Sequence, residues 1–212
     1  MEKAEPPKEV SPQESPSFIQ IELQIFEIPD NDASTKELND WMDRHNKLTK
    51  DATSIIALPV HSKTTPTDPT ISSSQIRFAF PSEEELLKFT DTVLPSWNAV
   101  TVSRPTIMTL SGNRAMIEVQ SSESSPGKSA GFSVEMKPVL DESDQITLDY
   151  DFTSKTNAGA NHAGAGLRIT KLSTSLKMRL DQTLIFSMPP NERNSHSQVT
   201  ILKCSKRSLT TN

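Results

Sequence analysis

From Phe18 onward, apolar residues recur at every second position. Ile19, Ile21, Leu23 and Ile25 line one side, with Gln20, Glu22, Gln24 and Glu27 as polar companions. That period predicts a half-buried strand from Phe18 to Ile28, ended by Pro29-Asp30-Asn31. The period then changes. Ser34 with Glu37 three residues on forms a capping-box signature, and Leu38, Trp41, Met42, His45 and Leu48 share one helical face. Ser54 to Val60 is a short apolar strand candidate. His61 to Ser74 is a Ser/Thr/Pro loop, and Gln75 to Phe80 is again strand-like. Ser82 and Glu85 repeat the capping box. They start a helix whose buried stripe is Leu86, Leu87, Phe89, Thr90 and Val93, and which stops near Pro95.

The second half reads as strands in succession. Thr106 to Leu110 and Ala115 to Gln120 flank the turn residues Ser111-Gly112-Asn113, which predicts one antiparallel hairpin. Pro105 cannot donate to a ladder, so it belongs at a strand start or an edge. Phe132, Val134 and Met136 alternate up to Pro138. Ile146, Leu148, Tyr150 and Phe152 alternate with Thr147, Asp149, Asp151 and Thr153. Leu167 to Leu172, Leu176 to Leu180, Thr183 to Met188 and Val199 to Leu202 complete the set, with Asp181-Gln182 as a turn. Helices before residue 96 and sequential strands after residue 100 define the class: α+β, a β-rich antiparallel sheet with two helices in the N-terminal half. We expect a disordered tail at 1–17, a β-domain at 18–203 and a flexible tail at 204–212.

Composition narrows function mostly by exclusion. The net charge of -5 argues against a nucleic-acid surface. A single cysteine, Cys204, excludes an intrachain disulfide and reads as a small buried hydrophobe. Met1 to Ser17 is Glu-, Lys- and Pro-rich and shows no signal-peptide pattern. No run approaches the ~20 apolar residues of a membrane helix. The expectation at this point is a cytoplasmic chain or a fragment of a longer exported one. His45 and His61 lack ligands at metal-binding spacing, and the acidic triplet Glu83-Glu84-Glu85 suits a helix start rather than catalysis. Asp149 and Asp151 share the polar face of a strand. No nucleophile elbow, phosphate loop, dinucleotide fingerprint or paired-cysteine motif occurs. The residues point to no enzyme, no cofactor and no metal.

Taken in order, the segments resemble one family, the C-terminal domain of bacterial secretins. These are the outer-membrane channel subunits of type II and III secretion and of type IV pilus machines. Ile19-Gln-Ile-Glu-Leu-Gln-Ile-Phe-Glu-Ile28 is similar to the family's first wall strand. Arg104-Pro105-Thr-Ile-Met-Thr109, Gly112-Asn113 and Ala115-Met-Ile-Glu-Val119 are similar to its Ala-Pro-x-x-x-Thr … Asn-x-x-Ala-x-Ile-x-Val signature. Gly131-Phe-Ser-Val-Glu-Met-Lys-Pro138 followed by Asp144-Gln-Ile-Thr-Leu148 is similar to Gly-x-x-Leu-x-Val-x-Pro … Asp-x-x-Ile-x-Leu. Ser175 to Ser187 resembles the hairpin that follows. Asp181-Gln182-Thr183 lacks the family's usual glycine, and 59–75 carries no alternating strands suited to a lipid face.

The resemblance implies a structural, non-catalytic role in protein secretion or envelope assembly, through strand-edge oligomerisation with copies of itself or with other secretion-system proteins. It implies a place in the cell envelope, outer membrane or periplasm, without direct membrane insertion. It implies Pro105, Gly112, Ala115, Gly131 and Pro138 as fold-defining positions. The alternative on the same scaffold is a stand-alone soluble binding module that grips a partner with the polar loops 61–74, 121–130 and 155–166.

Overall fold

The computed structural model describes residues 17–29, 32–46, 76–120, 131–157, 167–188 and 196–207. The strand expected at Ser54–Val60, the loops at 61–74 and 121–130, His61, Leu48 and the stretch 158–166 lie outside them. The order is β1 (Phe18–Pro29), α1 (Asp32–His45), β2 (Arg77–Ala79), α2 (Glu83–Lys88), a π-helical stretch (Phe89–Val93), α3 (Leu94–Ser96), β3 (Val100–Ser103), β4 (Thr106–Leu110), β5 (Ala115–Gln120), β6 (Gly131–Leu140), β7 (Gln145–Asn157), β8 (Leu167–Arg179), β9 (Thr183–Met188) and β10 (His196–Arg207). The α+β class, with its helices before residue 97, stands.

The strands form two sheets where one was expected. The first runs β2-β9-β10-β1-β3, with β4 also on β1; the second runs β5-β6-β7-β8. β1 is the spine of the first sheet. It pairs with β10 along its whole length and with β3 and β4 on its other side. The two sheets face each other across one apolar layer. Ile19, Ile21, Leu23 and Ile25 of β1, Leu184 and Phe186 of β9, and Leu202 and Cys204 of β10 meet Val134, Leu148, Tyr150, Phe152 and Leu176 of the second sheet.

A helical layer covers part of the first sheet's other face. Leu38, Trp41, Met42, Phe89, Leu94 and Trp97 pack there on Phe26, Ile28, Ile185, Val199 and Ile201. The alternation of β1 breaks at Ile25-Phe26 because the buried side switches there, from the inter-sheet face that Ile19 to Ile25 line to the helical face that takes Phe26 and Ile28, while Glu27 stays half-buried. β9 and the middle of β10 are buried without alternation because their side chains are covered on both faces, by the second sheet and by the helical layer.

Local chemistry explains the helices and two departures from expectation. The Ser82/Glu85 capping box is complete, with the Ser82 hydroxyl accepting from the Glu85 amide and the Glu85 carboxylate accepting from the Ser82 amide. α1, in contrast, begins at Asp32 rather than Ser34. The buried Ser34 hydroxyl donates instead to the Pro29 carbonyl at 3.2 Å, tying the helix to the end of β1.

The second helix ends at Ser96, near Pro95 as expected. Pro95 has no N–H to bond four residues back, and the preceding turn widens so that the Leu94 amide reaches the Phe89 carbonyl. That five-residue step puts Phe89 and Leu94 on the buried face, while Leu87, expected in the stripe, is exposed. Trp97 closes the layer, its ring edge-on to Phe89 and its Nε1–H donating to Glu37 at 2.7 Å. β10 runs to Arg207, past the boundary expected at 203, because Cys204 and Ser205 are buried within the ladder to β1.

Candidate functional site

The chemistry-bearing side chains do not converge. Among the described residues no group of three His, Cys, Asp or Glu side chains could hold a metal ion. His45 stacks on Trp41, its Nδ1 lies 2.7 Å from the Trp41 carbonyl, and its Nε2 lies 3.6 Å from Glu85. Asp149 and Asp151 project from the outer face of the second sheet, with Asp149 accepting from Ser175. A groove of about 360 Å³ runs beside α2, floored by Gln24, Ile201 and Lys203 and walled by Leu86 and Gln182.

Two titratable groups are sealed in the inter-sheet core. Burial pushes the Cys204 thiol up to about 12 and the Tyr150 phenol well above its ordinary range. Both are neutral when folded and ionise more readily when unfolded. Their contribution to stability is therefore full below about pH 9 and is lost as pH rises toward the folded values. We expect the urea midpoint to hold constant to about pH 9 and then to fall. The loss rate reaches about 1.4 kcal/mol per pH unit for each group, and Cys204→Val gives a shallower fall between pH 9 and 12. A midpoint independent of pH up to 12 would contradict the sealed core.

What the structure does assemble is a corner. Leu110-Ser111-Gly112-Asn113 is a β-turn closed by the Asn113 amide on the Leu110 carbonyl at 3.0 Å, with Gly112 at φ +83°. A glycine with positive φ in the third position belongs to the turn family that splays strands, unlike the types that twist them together. The expected hairpin is therefore not a hairpin. β4 stays with β1 in the first sheet, and β5 crosses to pair β6 in the second. Asp181-Gln182 does the same for β8 and β9, which lie in different sheets; Asp181, at φ +60°, donates its amide to the Cys204 carbonyl at 2.8 Å.

Three of the five fold-defining candidates, Gly112, Ala115 and Pro138, sit at the first corner, and Gly131 lies at the far end of the β5–β6 ladder. The Gly112 amide donates to the Pro138 carbonyl at 2.6 Å. In an antiparallel strand the N and O of one residue point the same way, so the missing N–H of Pro138 faces the turn and not β7. The Leu140 amide donates to the Ser111 hydroxyl at 2.9 Å, extending the seam. Ala115 opens β5 opposite Met136, and Gly131 closes the same pairing opposite Gln120. Gly131 has φ +155°, and a Cβ there would collide with the Val119 carbonyl oxygen and stand 3.0 Å from the Gln120 Cα.

Pro105 lies apart, on the edge of the first sheet. Ser103 faces Ile25 and Thr106 faces Glu22, so β3 and β4 are one edge strand broken at Arg104-Pro105. The Pro105 carbonyl accepts from the Leu23 amide at 3.0 Å and has no N–H to return. Arg104 places its guanidinium 5.6 Å from the Phe26 ring centroid.

The strand edges themselves were not singled out by the sequence. Among the described residues, β5 pairs only with β6 and β8 only with β7, so each end of the second sheet presents unpaired backbone groups. The flank carrying β3, β4 and β5 is also open. Val102, Ile107, Ile117 and Val119 are half-buried against the inter-sheet core, while Val100, Met108 and Met116 are exposed. The outer face of the second sheet is mostly polar, with Glu118, Thr147, Asp149, Asp151, Lys171 and Ser173 exposed, and Met116 and Val139 are exposed on it as well.

No protein-family model matches the chain, and no curated protein does. Solved secretin structures are similar to it. The type IV competence pilus secretin PilQ of V. cholerae matches over 91% of this chain and 61% of its own, with 13% identity and a TM-score of 0.41. The type II secretin GspD of enteropathogenic Escherichia coli matches over 91% and 70%, with 9% identity and a TM-score of 0.41. The secretin domain of InvG from the Salmonella SPI-1 injectisome matches over 92% and 63%, with 11% identity and a TM-score of 0.34. The chain thus spans about two thirds of the length of these structures. Among the described residues no helix is long and apolar enough to cross a membrane.

Proposed function

We propose that the chain is a non-catalytic, secretin-like structural domain that serves bacterial protein secretion or envelope assembly by pairing its strand edges with further copies of itself. The ordered motifs from Ile19 to Ser187 motivate the family. The observation that carries the mechanism is the pair of one-sided edge strands, β5 and β8, at opposite ends of one four-stranded sheet. Unpaired edges are sites of further strand pairing unless they are blocked. A heterologous contact that joins β5 of one copy to β8 of the next repeats around a ring and leaves no edge. Gly112, Ala115 and Pro138 serve this by holding the corner, Pro105 by breaking the edge strand, and Gly131 by closing the far end of the β5–β6 pairing. The exposed polar residues of the second sheet's outer face support a reading in which that face meets water, with the oligomer in the envelope and this face outside the hydrocarbon.

Light scattering on the purified chain tests the reading. We expect the mass to rise from one copy to a closed multiple between micromolar and millimolar concentration. A strictly monomeric chain at millimolar concentration contradicts it. The same polar face favours the second reading, a stand-alone binding module. That reading expects a monomer that loses a specific partner when one of the loops 61–74, 121–130 or 155–166 is shortened.

A further inference from the structure

The inter-sheet core contains an unexpected polar spot. Tyr150, the chain's one tyrosine, is fully buried on β7, and its ring stands edge-on to Phe186 of β9 at 5.2 Å between centroids. Phe186 is directly opposite Thr200 in the β9–β10 ladder, so the phenol crosses from the second sheet to the first beside Thr200. Thr174 of β8 is opposite Tyr150 and buried on the same face. The hydroxyls of Tyr150, Thr174 and Thr200 are all buried, and none has a hydrogen-bond partner in the protein. The Tyr150 and Thr200 hydroxyls are close neighbours that do not meet in hydrogen-bond geometry.

A buried hydroxyl left without a partner is costly, and more than nine in ten buried polar groups in folded proteins avoid it. A site able to satisfy one water needs two to four polar partners, and this core offers three from two facing sheets. We propose that Tyr150, Thr200 and Thr174 bind one ordered water molecule between the two sheets. Bonded to β7 and β10 at once, the water pins the sheets against sliding, where the surrounding aliphatic contacts are not directional. Hydroxyls on facing strands fix one register, and a one-pair slip separates them.

The test combines a mutant cycle with direct detection of the water in the full chain. Tyr150→Phe and Thr200→Val each remove one hydroxyl at nearly constant shape. Each is expected to lower the folding equilibrium constant about tenfold, since each strands the other groups, and the double variant is expected to fall no further than either single one. In the unaltered chain, nuclear Overhauser contacts from a long-lived water to the Tyr150 ring and the Thr200 methyl are expected, and Thr200→Val abolishes those to the ring. Additive losses overturn the proposal. So does a non-additive cycle without a long-lived water, which would mean a direct hydroxyl pair. Should Tyr150→Phe fail to fold, the water contacts in the unaltered chain and in Thr200→Val decide alone.

Discussion

Gly131→Ala is expected to cost about 3–5 kcal/mol of stability, more than the same change at Gly112. Two effects add. The backbone at φ +155° is one that a side chain strains, and the new Cβ collides with the Val119 carbonyl across the first rung of the β5–β6 ladder. The clash is against backbone, so no rotamer relieves it. β5 must either shift or peel away from β6, and either movement opens their pairing from the end farthest from the corner. Against a total stability of about 5–15 kcal/mol the loss is large. It should lower Tm by roughly 6–20 °C, read by thermal melting and guanidinium denaturation. Gly112→Ala is the control. Gly112 also has positive φ, but a Cβ there meets nothing within 4 Å, so only the conformational cost of about 1–2 kcal/mol applies. Equal losses for the two variants would show that the close approach at Gly131 is not what the β5–β6 pairing depends on.

Ile117→Lys should abolish assembly while leaving the single copy folded. Ile117 sits mid-β5 with its side chain half-buried against the inter-sheet core at the open flank. In an isolated copy a lysine stem can lie along that apolar surface and carry its ammonium out to water, at a cost of about 1–2 kcal/mol. Once a neighbouring strand closes the edge, the ammonium is trapped without a partner. An inward-facing charge on an edge strand is a known block to edge pairing. Burying it costs several kcal/mol, which raises the dissociation constant at least about 100-fold. Light scattering should find a single copy at concentrations where the unaltered chain assembles, with a circular dichroism spectrum unchanged. Assembly with undiminished affinity would remove the β5 flank from the interface.

The sequence was most informative where a residue's neighbours in the chain are also its physical partners. The Ser82/Glu85 box closes within four residues, and the capping read from spacing is the capping found. The alternation of Ile19 to Ile25 located the spine strand, and its breakdown at Phe26 records a second covering layer. The two hairpins were misread for a common reason. Ser111-Gly112-Asn113 and Asp181-Gln182 carry turn chemistry, but a turn specifies only that the chain reverses, not which sheet receives it. That choice is made by distant partners: Pro138 for Gly112 and Cys204 for Asp181. Leu87, two residues before the buried Phe89, falls about 200° around the helix from it, while the widened turn before Pro95 brings Leu94 to the buried face through a change of period that ordinary spacing does not anticipate. The free edges of β5 and β8 were not legible either, because an edge is defined by what fails to pair.

Amide hydrogen exchange, compared between dilute and concentrated chain, tests the strand-edge account most directly. The account predicts fast exchange for the outward amides of Ala115–Gln120 and Leu167–Arg179 when dilute. It predicts strong slowing of both sets, together, when concentrated, with β1 and β10 slow throughout. Rates along β5 and β8 that stay the same at every concentration, or protection that grows elsewhere while these two edges remain open, would contradict it.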